Sequence, residues 1–203
     1  MRAAFPSERK TMNLADDSSA AARLCAPCGM CCNGVMFHTV QLQPDDSAKR
    51  LAALGLKLKR KHGHHFILQP CPAFENAQCS IYAARPERCR KFECRQLLRL
   101  TAGEITEAAA LENIHATQRL VAQLNALLLQ AGRTNFKHPI SKRYEKAMAE
   151  PVDPGAAPEV GELRRRLAQT MQALQARLNA DFRIVPDVAA VSPVVPPADD
   201  AGK

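Results

Sequence analysis

The feature that most constrains this 203-residue chain is a set of eight cysteines that all lie between positions 25 and 94. They are Cys25, Cys28, Cys31, Cys32, Cys71, Cys79, Cys89 and Cys94. Cysteines separated by two residues can direct both sulfurs to one ion or cluster, because the short intervening loop turns the chain back on itself. The pattern therefore predicts a metal-binding segment in which all eight cysteines are candidate ligands.

The redox state of the compartment decides whether such cysteines bind metal or form disulfides. Residues 1–23 carry acidic and small polar side chains where a secretory signal would have an apolar core. No stretch of eighteen apolar residues follows, so no transmembrane helix is expected. These observations predict a cytoplasmic protein. Because thiols stay reduced in the cytoplasm, metal binding is favoured over disulfide pairing.

The net charge of +8 is concentrated in the cysteine-rich segment. Residues 24–100 contain twelve Lys or Arg and five Asp or Glu. A basic excess can indicate a nucleic-acid partner, but aromatic side chains that would stack on bases are scarce here. Thiolates are themselves anions, so the favoured interpretation of the basic side chains is counter-charge for the thiolates, with nucleic-acid contact as the alternative. The side chains concerned are Arg85, Arg88, Arg90, Lys91, Arg95 and Arg99.

Composition and periodicity divide the chain into six parts. These are a disordered N-terminus (1–20), a cysteine-cluster metal-binding domain (24–100), a helical extension (101–150), a linker (151–159), an amphipathic helix (160–183) and a disordered tail (186–203). In the second part we expect a ligand loop at 25–34, strands at 35–42 and 65–69, and a helix after Ser47. The fold class that follows is α+β, with short strands around the metal and helices towards the C-terminus.

Two long segments show the three- and four-residue spacing of amphipathic helices. The first extends from Ile105 to Leu128 and the second from Val160 to Leu178. The apolar stripe of the second helix predicts packing within the chain or, alternatively, self-association or a protein partner.

A shorter helix is predicted between Pro86 and Leu100, because proline and an acidic residue favour a helix start. Cys89 and Cys94 would point about 140° apart on an ideal helix. Either this helix bends or the two cysteines bind different metals.

Histidines are weaker candidate ligands. His62, His64 and His65 could bind zinc or iron, but in a basic turn before a strand we expect them to be solvated. His38 is expected to be a partly buried strand residue. The sequence contains no phosphate-binding loop, nucleophile elbow or paired-histidine helix, so it indicates no particular reaction.

Four separated motifs resemble the YkgJ-like cysteine-cluster (CxxCxxCC) family. They are Cys25-Ala-Pro-Cys28-Gly-Met-Cys31-Cys32, Cys71-Pro72, Cys79-Ser-Ile-Tyr82 and Arg85-Pro86-Glu-Arg-Cys89-Arg90-Lys-Phe92. The resemblance implies zinc or iron chelation by the cysteines of these motifs. It does not extend to the C-terminal helices, and Glu93 stands where many members have a proline.

The thiolates can be divided between two centres. Cys25, Cys28 and Cys31, with the remote Cys71 before a proline, resemble the ligand spacing of bacterial ferredoxins and predict a 4Fe-4S cluster. The remaining ligands, Cys32, Cys79, Cys89 and Cys94, would then form a second site. Thiolate geometry alone does not separate zinc from an iron–sulfur cluster, although the second Cys-x2-Cys knuckle of a typical zinc site is missing.

Three functions are compatible with these features. The first is metal chelation, with zinc or iron organising the fold. The second is an iron–sulfur enzyme that modifies a protein, since flagellin lysine methylases are similar in cysteine pattern. The third is a zinc-dependent nucleic-acid-binding module.

Overall fold

The computed structural model describes residues 19–151 and 158–184. Its elements are α1 (Ala20–Cys28), β1 (Thr39–Gln41), α2 (Ala48–Ala53), β2 (Leu58–Lys61), β3 (His64–Leu68), β4 (Phe74–Glu75), β5 (Gln78–Cys79), a 3-10 turn (Tyr82–Ala84), α3 (Glu87–Lys91), α4 (Arg95–Thr101), α5 (Glu107–Gln130), α6 (Ile140–Ala149) and α7 (Pro158–Asp181). Short antiparallel strands precede the long helices, which confirms the α+β class. The predicted disordered tail and nearly all of the predicted disordered N-terminus lie outside the described residues, as does most of the linker.

Helix α1 contains the first two cysteines, where the sequence predicts a loop. The Ser19 hydroxyl accepts a hydrogen bond from the Ala22 N–H at 3.1 Å, which caps the first turn. The helix ends at Gly29, whose φ of 61° is the left-handed conformation that glycine adopts most readily. Cys25 and Cys28 therefore lie on the last helical turn.

Strands β1, β3 and β2 form an antiparallel sheet in that order. The sequence predicts β1 and β3 but misses β2, because three of its four residues are exposed and charged. His62 and Gly63 join β2 to β3 with φ angles of 48° and 77°, as expected of a tight two-residue hairpin turn. Strand β2, at one edge of this sheet, therefore carries three basic residues, Lys59, Arg60 and Lys61.

The predicted helix between Pro86 and Leu100 is broken into α3 and α4. Phe92 and Cys94 have an extended backbone, and the Phe92 ring packs edge-on against Phe37 with 5.1 Å between the ring centroids. Cys89 lies on α3, whereas Cys94 is the N-cap residue of α4. The two cysteines therefore belong to separate helices. Of the two alternatives that the 140° offset left open, the structure shows a change of direction in the helix, here a complete break.

One large core joins the cysteine-rich segment to the C-terminal helices. It contains buried side chains of α1, α4, α5, α6 and α7, including Leu24, Met30, Leu97, Ile114, Leu124, Leu167, Leu174 and Leu178. The apolar stripe of α7 packs against α5, as the intrachain alternative predicts, although Val160 at its start is exposed. A smaller core lies under the three-stranded sheet and contains Leu42, Leu51, Leu56, Ile67 and Ala73. None of the described helices is both long enough and apolar enough to cross a membrane.

A polar network fixes α4 to the end of α7. The backbone N–H of Arg95 donates to the Phe182 carbonyl at 3.0 Å. The Gln96 side chain donates to the Asp181 carbonyl at 2.9 Å and accepts from the Asn113 amide at 3.3 Å. Because Gln96 is fully buried, these contacts satisfy a side-chain amide that water does not reach.

We expect Gln96→Leu to lower the free energy of unfolding by about 1–3 kcal/mol, because it leaves buried polar groups of α5 and α7 without their partner. Urea denaturation followed by circular dichroism measures the change. The control is Gln172→Leu on the exposed side of α7, which should change stability by less than about 0.5 kcal/mol. Equal effects of the two substitutions would contradict a role for the network.

Candidate metal centre

Four of the thiols, which we call the first thiol group, lie around the end of α1. Cys25 and Cys28 are on its last turn, Cys31 is in the turn that follows, and Cys94 begins α4, which packs on α1. The pKa of Cys28 is raised to about 12, mainly by burial, with contributions from Cys94 and Cys25. Burial also raises the pKa of Cys31, with additional contributions from Cys28, from the adjacent Cys32, and from Cys94 and Cys25. The four sulfurs are therefore electrostatic neighbours.

The other four thiols, the second thiol group, lie at the end of the three-stranded sheet. Cys71 follows β3, Cys79 ends β5, Cys89 is on α3, and Cys32 is in the turn after α1. Burial raises the pKa of Cys32 to about 12, and Cys71, Cys89 and Cys79 add to the shift. Burial likewise raises the pKa of Cys89 to about 11, again with contributions from Cys71 and Cys79.

The structure exchanges Cys71 and Cys94 relative to the division that ferredoxin spacing predicts. The backbone N–H of Cys71 donates to the Cys32 carbonyl at 2.7 Å, which places Cys71 in the second group. Cys94 packs with Cys28 and Cys31 against the large core, whereas Cys71 packs against the smaller one. The grouping of the thiols in the structure therefore differs from the predicted division in these two positions, because long-range packing and not spacing determines where the remote cysteines lie.

Backbone amides donate to sulfurs in both groups. The N–H of Met30 hydrogen-bonds to Cys28 and lowers its pKa against the larger effect of burial. The amides of Ala73 and Phe74 do the same for Cys71. Amide donors of this kind stabilise thiolates and tune iron–sulfur and zinc centres.

Arg85 acts on both thiol groups. Its guanidinium stacks over the Tyr82 ring at 3.5 Å from the centroid, and its Nε donates to the Tyr82 carbonyl at 3.1 Å. The positive charge lowers the pKa of Cys25 and of Cys89, although burial dominates at both thiols. One thiol belongs to each group, so Arg85 lies between them and supplies part of the counter-charge that the sequence predicts.

The predicted counter-charge role does not hold for three of the other basic residues. Lys91 forms an ion pair with Glu87, and Arg99 forms one with Glu104. The Arg95 guanidinium donates to backbone carbonyls at the end of α7. These side chains stabilise helices and the helix–helix contact instead of the thiolates.

Comparison with known proteins identifies the cysteine-rich part of the chain. Residues 24–117 match a family model described as "CxxCxxCC: Putative zinc- or iron-chelating domain". This part of the chain is similar to the CxxCxxCC domain. All eight cysteines fall within the match, which confirms the resemblance seen in the motifs. No curated protein and no solved structure matches the chain at a significant level.

The thiols of the cysteine-rich segment fit a thiophilic metal in donor type and number. All eight are free, and each group provides four sulfurs, as both tetrahedral zinc and a 4Fe-4S cluster require. Burial and the neighbouring thiols raise the pKa of six of them and favour their neutral forms: Cys25, Cys28, Cys31, Cys32, Cys71 and Cys89. A bound cation reverses that preference by stabilising thiolates. In residues 19–151 and 158–184, no group of three or more His, Cys, Asp or Glu side chains is arranged to hold a metal ion as it stands.

The candidate histidines lie in or next to the three-stranded sheet. His64 and His65 line an open cleft. His62 and His64 are exposed as the sequence predicts, whereas His65 is half-buried. His38 is exposed and precedes β1, where its Nε2 lies 2.6 Å from the Ser141 hydroxyl. The expectation that His38 is a partly buried strand residue is therefore wrong.

Gln118 is a structural contributor that sequence reasoning missed. Its side-chain amide donates to the carbonyls of Pro27 at 2.6 Å and of Cys28 at 3.1 Å. These are C-terminal carbonyls of α1, which lack partners within the helix. A glutamine on a helix surface carries no local signal for such a contact.

Gly29 lies where the two thiol groups meet. Its φ of 61° is left-handed, and a Cβ at this position would lie 2.3 Å from the Cζ atom of Phe74. Phe74 pairs with Cys79 across β4 and β5. A side chain at position 29 would therefore disturb the strand that carries a thiol of the second group.

Gly29→Ala is expected to destabilise the domain by more than the roughly 1–2 kcal/mol that left-handed backbone costs a residue with a Cβ. The matched control is Gly63→Ala, which has a φ of 77° but no atom within 4 Å of the added Cβ, and so adds backbone strain without a clash. Chemical denaturation of both variants separates the two effects. Equal losses of stability would show that the contact with Phe74 relaxes without cost.

Proposed function

We propose that this protein chelates metal through its eight cysteines, arranged as two centres of four sulfurs each. The assignment gives Cys25, Cys28, Cys31 and Cys94 to one centre and Cys32, Cys71, Cys79 and Cys89 to the other. Two observations support this arrangement. Thiols of the same group contribute to one another's raised pKa. Cys94 packs against the large core together with Cys28 and Cys31, whereas Cys71 packs against the smaller core. The description of the matched family supports the general function of metal chelation.

The chemistry of the thiolate donors indicates that the metal at each centre is zinc or iron. Soft thiolates select zinc and iron–sulfur clusters over metals that prefer oxygen. In the first group, the Cys-x2-Cys-x2-Cys run with one remote cysteine keeps the ferredoxin-like spacing, with Cys94 as the fourth ligand. This group is therefore our candidate for a 4Fe-4S cluster.

Metal at the second centre would join elements that have little other support. β4 and β5 have two residues each, and the adjacent core contains five buried side chains. Ligands from four separate segments would be linked by one ion or cluster, and in small domains such binding supplies folding free energy directly. The first centre lies against the large helical core and depends less on metal for its fold.

Metal analysis after anaerobic purification tests the proposed function directly. Iron with acid-labile sulfide and absorption near roughly 400 nm would assign a cluster. A colourless protein with zinc in proportion to its two centres would assign zinc and remove the iron–sulfur enzyme as an alternative. Protein that is folded, reduced and free of both metals after reconstitution would contradict the proposal.

Paired cysteine substitutions test how the ligands divide. Cys28→Ser and Cys94→Ser should each release the metal of the first centre, and the double variant should lose no more than either single variant. Combining Cys28→Ser with Cys71→Ser should release the metal of both centres, because these residues belong to different groups. Metal content per protein, measured by elemental analysis, distinguishes the cases.

The division predicted from ferredoxin spacing gives the reverse result. In that case Cys28→Ser with Cys71→Ser would remove one centre, and Cys28→Ser with Cys94→Ser would remove both. The matched pairs differ in one cysteine only, so each serves as the control for the other.

A further inference from the structure

A cleft of about 350 Å³ lies beside the second thiol group. β1 and the residues after it form one wall, the hairpin turn between β2 and β3 forms another, and α3 closes the third side. Its polar lining consists of Gln41, Gln43, Asp46, His64, His65 and Arg88. The Asp46 carboxylate of the lining lies close enough to Cys89 to contribute to the raised pKa of that thiol, after burial and the neighbouring thiols, so the cleft is adjacent to the second group.

The cationic and imidazole side chains of the cleft have no internal partners. Arg88, His64 and His65 form no side-chain hydrogen bond or ion pair with the other described residues. Asp46 is the acidic residue of the lining, and its two carboxylate oxygens accept from the backbone N–H groups of Gln43 at 2.8 Å and Glu87 at 2.9 Å. The cleft therefore offers free donors to a ligand, while its carboxylate is occupied by the backbone.

The chain segment that forms the hairpin wall of the cleft is basic. No Asp or Glu occurs between Asp46 and Glu75, whereas six basic residues do: Lys49, Arg50, Lys57, Lys59, Arg60 and Lys61. All six are exposed, and none forms an ion pair within the described part of the chain. Such a field lowers the local concentration of free divalent cations and raises that of anions. We therefore expect metal to approach the second thiol group more readily as an anionic complex than as the bare cation.

We propose that this cleft binds the carboxylates of a small anionic metal chelate, so that the second thiol group receives its metal from a polycarboxylate complex. This inference rests on the proposed metal-chelating function. Arg88 is the principal contact, because guanidinium groups bind carboxylates through two parallel hydrogen bonds. The amide groups of Gln41 and Gln43 can donate to further oxygens of the same ligand.

The transfer that follows is a ligand exchange without any change of oxidation state. Cys32, Cys71, Cys79 and Cys89 replace the carboxylate oxygens as ligands. Each thiol gives up its proton to water or to the released carboxylate as its sulfur binds. The polycarboxylate then leaves the cleft with its charge restored.

The test uses citrate as the probe and the full chain in its reduced, metal-free form, so that binding is measured independently of metal loading. Isothermal titration at low ionic strength compares the unsubstituted protein with Arg88→Gln and Arg90→Gln. Both arginines are exposed on α3 and unpaired among the described residues, and both substitutions remove one positive charge. Arg90 is not part of the cleft lining.

We expect Arg88→Gln to weaken citrate binding about tenfold, as the loss of a charge-assisted hydrogen bond implies, and Arg90→Gln to change it less than about twofold. Equal weakening by the two variants would show diffuse attraction and overturn the proposal. Inorganic phosphate that binds as tightly as citrate, with the same dependence on Arg88, would also overturn it, because the cleft would then be a general anion site.

Metal transfer gives the second readout. Zinc should pass from zinc citrate to the protein faster than from a neutral zinc chelate of similar stability, and Arg88→Gln should abolish the difference. Normal metal content without citrate binding would overturn this inference alone. Failure of the cysteines to bind metal would instead overturn the proposed function, whatever the result with citrate.

Discussion

The adjacency of Cys31 and Cys32 is the constraint on which the rest of the site depends. Their turn is fixed by hydrogen bonds from the backbone N–H groups of Cys32 and Asn33 to the Gly29 carbonyl, each 2.9 Å long. Consecutive residues in such a turn project in different directions, so one thiol joins each group. The two groups are consequently neighbours, which explains why Cys25 of the first contributes to the raised pKa of Cys32, after burial and the thiols of its own group.

The parts of the fold that the sequence predicts well are those that local periodicity determines. The repeat from Ile105 to Leu128 gives α5, and the stripe that ends at Leu178 gives α7. The sequence does not predict β2, because an edge strand of lysines and arginine lacks the alternation of apolar and polar residues that identifies a half-buried strand. The start of α1 was missed because a single serine cap before three alanines resembles the polar, small-residue composition of the preceding tail.

In the candidate site, too, the sequence predicts well only what residues close together in the chain determine. Spacing identifies Cys25, Cys28 and Cys31 as one set, because they are close along the chain. It groups Cys71 and Cys94 differently from the structure, because their positions depend on a sheet and on the contact of α4 with α1. The basic charge was likewise interpreted as one feature, whereas Arg85 acts on the thiols, Arg95 holds α7, and the hairpin lysines remain free. The sequence alone identifies the cysteines and basic side chains of the site, whereas long-range packing determines what each of them contacts.

The bonds from Arg95 and Gln96 to the end of α7 show how far the folding unit of the cysteine-rich segment extends. The family match ends at residue 117, inside α5, yet the residues that follow Cys94 are held by carbonyls more than sixty positions beyond that boundary. The matched segment alone would lack the second half of α5 and the carbonyls of Asp181 and Phe182. A truncation at the end of the match would therefore expose Gln96 and loosen the position of Cys94.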